Sequence, residues 1–132
     1  MALEELLDMV VSECEKKIMP SIVGEERKQI AETVGIATVK YADLIPFRGK
    51  DYNFDPVKFS DLQGKTGPYL LYSTIRMKSL LTKAQEAGIK YSKYHQVTTP
   101  IEKEIILLTT TLRSTIIKSF TSKSLNDITD YL

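Results

Sequence analysis

Leu3, Leu6, Leu7, Val10, Cys14 and Ile18 recur at helical spacing, with acids and lysines between them. The pattern predicts an amphipathic helix that stops near Met19-Pro20. A second helix is expected from Gly24 to about Asp43, with Glu25 and Glu26 in its first turn, where the helix dipole favours anions. It is expected to bury Ile30, Val34, Val39 and Tyr41. Gly35, in its middle, costs roughly 1 kcal/mol against alanine. That signals either close approach of a neighbouring backbone or tolerated drift. Between residues 45 and 65 the periodicity fails. Pro46, Gly49 and Gly64 interrupt any helix, Tyr52-Asn53-Phe54 alternates like a short strand, and Pro56 suits the start of one helical turn. A connection of that length inside one domain tends to be functional.

Helical spacing returns at Pro68, a residue suited to the first turn of a helix, where no donor is needed. No breaker follows until Gly88, placed as a left-handed stop. This helix carries Leu70, Leu71, Ile75, Leu80 and Leu81 on its apolar side. Thr99-Pro100-Ile101-Glu102 is a capping box with proline at the first helical position. The helix it opens is expected to bury Ile101, Ile105, Leu108 and Leu112, and to weaken at Thr109-Thr110-Thr111. Ile116, Ile117 and Phe120 mark a further helix. Ser124 suits the cap of a last one holding Leu125, Ile128, Tyr131 and Leu132. That helix meets no stop signal, so it either frays at Leu132 or belongs to a longer chain. The elements amount to an all-α helical bundle of five to six helices with one long irregular loop.

Composition narrows the class. At 132 residues and 42% hydrophobic, the chain suits one domain with one core. Its net charge of +1 creates no global basic field, but the charge is unevenly placed. Residues 1–35 hold eight acids and four bases, a net of −4; residues 36–95 hold ten bases and five acids, a net of +5; the rest is balanced. The cationic middle is where a polyanion would be met. The single Cys14 excludes an internal disulfide framework and reads as a small buried hydrophobe. No apolar run is long enough to span a membrane, and the N-terminus lacks the layout of a signal peptide.

Within the cationic middle, Tyr69, Tyr72 and Arg76 stand at i, i+3 and i+7 and share one stripe of the predicted helix. Two rings and a guanidinium in a row suit stacking on splayed single-stranded bases. The same spacing also fits core rings beside a surface charge. Arg48, Lys50, Lys58 and Lys65 lie along the preceding loop and offer phosphate contacts, or simply a solvated loop. His95 is the only histidine, with no carboxylate or cysteine cluster around it in sequence, and reads as a surface imidazole. No nucleophile elbow, phosphate-binding loop or His-Glu-x-x-His occurs, so no catalytic constellation is expected.

Three ordered blocks carry a family resemblance. They are Val34-Gly35-Ile36-Ala37-Thr38-Val39-Lys40-Tyr41-Ala42-Asp43-Leu44; Arg48 followed by Lys50-Asp51-Tyr52-Asn53-Phe54-Asp55; and Gly64-x-Thr66-x-Pro68-Tyr69-Leu70-x-Tyr72-x-x-x-Arg76. In type, order and spacing they resemble the arginyl-tRNA synthetases, over roughly residues 3–132. Leu71 stands where the family usually has glutamine, Phe47 where it has asparagine, and Pro56 where tryptophan is frequent.

The resemblance implies the anticodon-binding domain over residues 25–132, with residues 1–24 as a helix linking it to the catalytic core. It implies anticodon-loop contact by Tyr69, Tyr72 and Arg76, a structural role for Arg48 as the arginine of the loop motif, and packing roles for Lys40 and Tyr41; Arg48 and Lys65 join the nucleic-acid-binding candidates as cations of the loop. The partners it implies are tRNA and the catalytic domain of the same parent chain, in the cytoplasm. ATP and magnesium would serve that parent, and no cofactor is expected in this segment. The chain is accordingly expected to be part of an arginine–tRNA ligase, cut at its C-terminus, with apolar surface near Ile128 and Leu132 and a tendency to self-associate. A stand-alone RNA-binding module and a protein-interaction helical module are the other two readings.

Overall fold

The computed structural model describes residues 2–90 and 96–132; the His95 expectation lies outside them. Among the described residues six helices follow in order: α1 Leu3–Lys16, α2 Gly24–Leu44, α3 Pro56–Phe59, α4 Gly67–Glu86, α5 Pro100–Ser122 and α6 Asn126–Tyr131. No strand occurs among the described residues, so Tyr52-Asn53-Phe54 is extended chain without a ladder partner.

The core sits where α1 crosses α2, and small residues build it. Val10, Cys14, Ala31, Gly35, Thr38 and Ala42 are buried, whereas Ile30, Val34, Val39 and Tyr41 are only half-buried. The reason is the closeness of the two helices. A Cβ on Gly35 would stand 2.6 Å from Val11 Cγ2 and 3.1 Å from Val11 Cα, so only glycine lets the backbones approach this far. Thr38 donates its hydroxyl to the Val34 carbonyl at 2.7 Å, which satisfies it inside the core beside Cys14 Sγ at 3.7 Å.

α1 ends at Lys16, a turn before the proline expected to stop it. Arg27, reaching from α2, gathers the carbonyls at and just after that end. Its guanidinium donates to the carbonyls of Glu15, Ile18, Met19 and Ile22 at 2.6–3.3 Å and pairs with the Glu15 carboxylate at 3.3 Å. The long connection before α4 is also built. Asp55 caps α3 by accepting from the amides of Val57 and Lys58, and Phe59 stacks on Phe54 at 5.1 Å and meets Tyr52 edge-on at 6.4 Å.

The C-terminal third departs most from expectation. α5 is one helix through the threonine run, because Thr109, Thr110 and Thr111 donate to carbonyls one turn back at 2.7–2.8 Å and leave the ladder intact. Its apolar residues Ile101, Ile105, Leu108 and Leu112, expected in the core, are exposed, as are Ile75, Leu80 and Leu81 of α4. α5 packs on α6, and α6 is tied to the end of α2: Tyr41 Oη donates to the Thr129 carbonyl and Thr129 Oγ1 to the Leu44 carbonyl, each at 3.3 Å. The chain reverses between α5 and α6 through Lys123 in the left-handed region, φ 53°, with Ser119 Oγ donating to the Ser124 carbonyl. Ser124 does not cap α6; Leu125 is its N-cap residue and the Ser124 hydroxyl turns to Asn126.

Candidate nucleic-acid interface

α4 sets the candidate surface, and its first turn is fixed on three sides. Thr66 is the N-cap: its hydroxyl oxygen accepts from the Tyr69 amide at 3.2 Å while donating to the Asp61 carbonyl at 2.5 Å. Pro68 follows in the first turn, buried, where its missing donor costs nothing. Gly67 lies against the α2 backbone. A Cβ there would meet the Ala37 carbonyl oxygen at 2.6 Å and Thr38 Cα at 2.9 Å. Its role is close approach. At the far end Gly88 takes φ +70°, and its amide closes the last turn onto the Gln85 carbonyl.

With that end clamped, helical spacing turns Tyr69 and Tyr72 outward, 46% and 47% exposed. The Arg76 guanidinium carbon stands 5.6 Å from the centroid of the Tyr72 ring, within cation–π range. Leu70 and Leu71 on the inward side are half-buried. The three predicted residues therefore form one accessible edge. A depression of about 540 Å³ continues from it, lined by Ser73, Arg76, Met77, Ser79, Leu80 and Lys83. Lys83 extends the stripe two turns past Arg76 and was missed from sequence. Its position seven residues after Arg76 is the signal that points to it.

The two other predicted residues are placed differently. Lys65, just before the cap, is exposed but paired with Asp130 of α6 at 2.8 Å, and that hydrogen bond raises the ammonium pKa above its ordinary value. Arg48 is exposed in the loop after α2, and no hydrogen bond or ion pair among the described residues joins it to the α4 edge. Tyr52, in the same loop, donates to Asp43 Oδ1 at 3.3 Å; burial first, then the Asp43 charge, raises its pKa. Among the described residues no three of histidine, cysteine, aspartate and glutamate gather as a metal site would need, and no helix is long and apolar enough to cross a membrane.

An all-helical domain with a clamped helix that presents two rings and a guanidinium is the class the geometry defines. Residues 70–132 match the DALR anticodon binding domain, and over that segment the chain belongs to this family. The whole chain aligns with the arginine–tRNA ligase of Alkaliphilus oremlandii at 33% identity over 135 residues, and 98% of it aligns with that of Agathobacter rectalis at 32% over 133. The arginine–tRNA ligase of Maricaulis maris is 39% identical over 92 residues, 64% of the chain. The chain spans only 23%, 22% and 16% of the lengths of these relatives.

Proposed function

We propose that this chain binds the anticodon stem-loop of a tRNA through the outer edge of α4, as the tRNA-holding part of an arginine–tRNA ligase. One observation carries the reading: Tyr69 and Tyr72 lie half exposed on one face of a helix whose first turn is clamped, with Arg76 against the second ring. Exposed aromatic side chains next to a guanidinium stack on bases of any identity, and neighbouring cations hold the phosphates. Tyr69 and Tyr72 would take unstacked bases, and Arg76 and Lys83 the backbone around them. Lys65 would join only by releasing Asp130, and Arg48 would touch a phosphate farther along. The parent ligase would activate arginine with ATP and magnesium in its catalytic domain, in the cytoplasm, and this segment would orient the tRNA. Residues 1–24 would form the join to that domain and residues 25–132 the anticodon-binding unit.

The test is binding of the chain to an anticodon stem-loop RNA at several salt concentrations. Expected are affinity that falls as salt rises, because phosphate contacts release counterions, and a loss of about 1–3 kcal/mol for Tyr72→Ala. Salt-independent binding, or full affinity in Tyr72→Ala, removes the α4 edge from the interface.

A protein-interaction reading is favoured by a separate observation, the uncovered apolar side chains of α4 and α5. They support self-association of the chain, which sedimentation at two concentrations checks.

A further inference from the structure

We infer that the cavity between α1, α2 and the chain just after α3 is a binding site for a small, uncharged, largely apolar molecule that carries one hydroxyl or carbonyl group. The inference is independent of the RNA-facing edge of α4. The cavity measures about 200 Å³. Ile18, Ile22, Ile30 and Val34 from one side and Leu62 and Pro68 from the other make its wall mostly carbon. Cys14 and Ser60 also line it, both buried. Lys17 and Met19 complete the lining and are exposed, so a path to solvent runs past them.

Ser60 carries the signal. The residue is 1% exposed and its amide is spent on the Pro56 carbonyl at 3.1 Å, yet its hydroxyl has no partner. The other two polar side chains of the lining are engaged: Cys14 Sγ lies 3.7 Å from Thr38 Oγ1, and Lys17 Nζ donates to the Val57 carbonyl at 3.4 Å. A buried hydroxyl left unpaired is costly, so an occupant that pairs with it gains what the fold has left unmade. Water answers poorly, because a buried water takes roughly two to four polar partners and these side chains offer one. An organic molecule with a single polar atom matches better. A serine hydroxyl both donates and accepts, which suits a hydroxyl or a carbonyl equally. Size agrees, since an apolar cavity of about 150 Å³ already takes up benzene. Charge does not fit. No carboxylate lines the cavity to hold a cation, and Lys17, its one cation, is exposed to water, where its pull on an anion is weak.

Titration of the methyl-labelled chain with p-cresol and with toluene tests this. With p-cresol the methyl resonances of Ile18, Ile22, Ile30 and Val34 should shift and saturate. Toluene has nearly the same shape without the hydroxyl, and it should bind about fivefold more weakly, the factor for one net hydrogen bond. Ser60→Ala removes the orphan oxygen and leaves the carbon wall, so it should bring the two ligands to equal affinity. Cys14 gives a second reading: as the only cysteine it reports alkylation unambiguously, and saturating p-cresol should slow its reaction with N-ethylmaleimide. Binding of neither ligand, or shifts confined to the exposed isoleucines of α5, overturns the site. Equal affinity of p-cresol and toluene for the unaltered chain overturns the role of Ser60 and with it the ligand class. That comparison needs no variant, so it decides even where Ser60→Ala fails to fold.

Discussion

Gly67 decides more about the candidate interface than its missing side chain suggests. Its Cα lies so near α2 that a methyl group would meet the Ala37 carbonyl oxygen at 2.6 Å and the carbonyl carbon at 2.8 Å. Neither atom can turn aside, since both are backbone of a continuous helix. Gly67→Ala should therefore lower stability by about 1–3 kcal/mol, the range for overpacking a tight contact. Because the first turn of α4 must then lift off, RNA affinity should fall with it. Thermal melts and stem-loop binding on one preparation check both, and an unchanged melting temperature would show that the crossing is looser than described. That the tyrosines next in sequence share one face was readable beforehand, since i, i+3 and i+7 spacing is a property of the helix alone; that the face is exposed was not. Nor was the glycine: a turn and a close approach ask for the same residue.

At the scale of elements, α1 depends on a side chain from its neighbour. Arg27 of α2 donates to the Glu15 carbonyl in the last turn of α1 and to those of Ile18, Met19 and Ile22 in the connection after it, which fixes how α1 leaves its helix. Arg27→Met, which keeps the aliphatic stem, should cost about 1.5–3 kcal/mol, the range for losing hydrogen bonds from a charged donor. Denaturant unfolding measures it; a loss under a few tenths of a kcal/mol would mean that water replaces the guanidinium freely. α5 teaches the opposite lesson. Its start was legible, because the Thr99–Glu102 capping box is local chemistry: the Glu102 amide bonds to Thr99 Oγ1 at 3.2 Å and the Thr99 amide to the Glu102 carboxylate at 2.9 Å. Its apolar face was misplaced, because amphipathic spacing tells which residues seek cover but not what provides it.

For the molecule as a whole, the attachment of α6 is tied to pH through its charged contacts. Hydrogen bonding to Asp130 raises the Lys65 pKa from its ordinary 10.5, and hydrogen bonding to Asp127 does the same for Lys118. A cation whose pKa is higher in the fold contributes its stability below the unfolded value and loses it as pH rises through the folded one. The contribution should be constant through neutral pH and be lost only as pH rises through the raised folded-state value, above the ordinary 10.5. Both ammonium groups are exposed, so salt screening keeps it small. Lys65→Met should melt slightly below the unaltered chain at neutral pH, and the gap should close as the solution is made alkaline enough to discharge Lys65. A gap of equal size in both solutions would assign the contact to packing.

The sequence by itself determined the all-helical class, the caps at Thr99 and the Pro68 start, the shared face of Tyr69, Tyr72 and Arg76, and the family, because each depends on neighbours within a few turns of the chain. Tertiary structure alone decided that Gly35 and Gly67 are points of backbone contact and that Lys65 is held by Asp130. It also decided that α5 leans on α6 and leaves its apolar stripe uncovered. Those facts join residues up to dozens of positions apart, and such meetings depend on how the rods cross rather than on the spacing within any one of them.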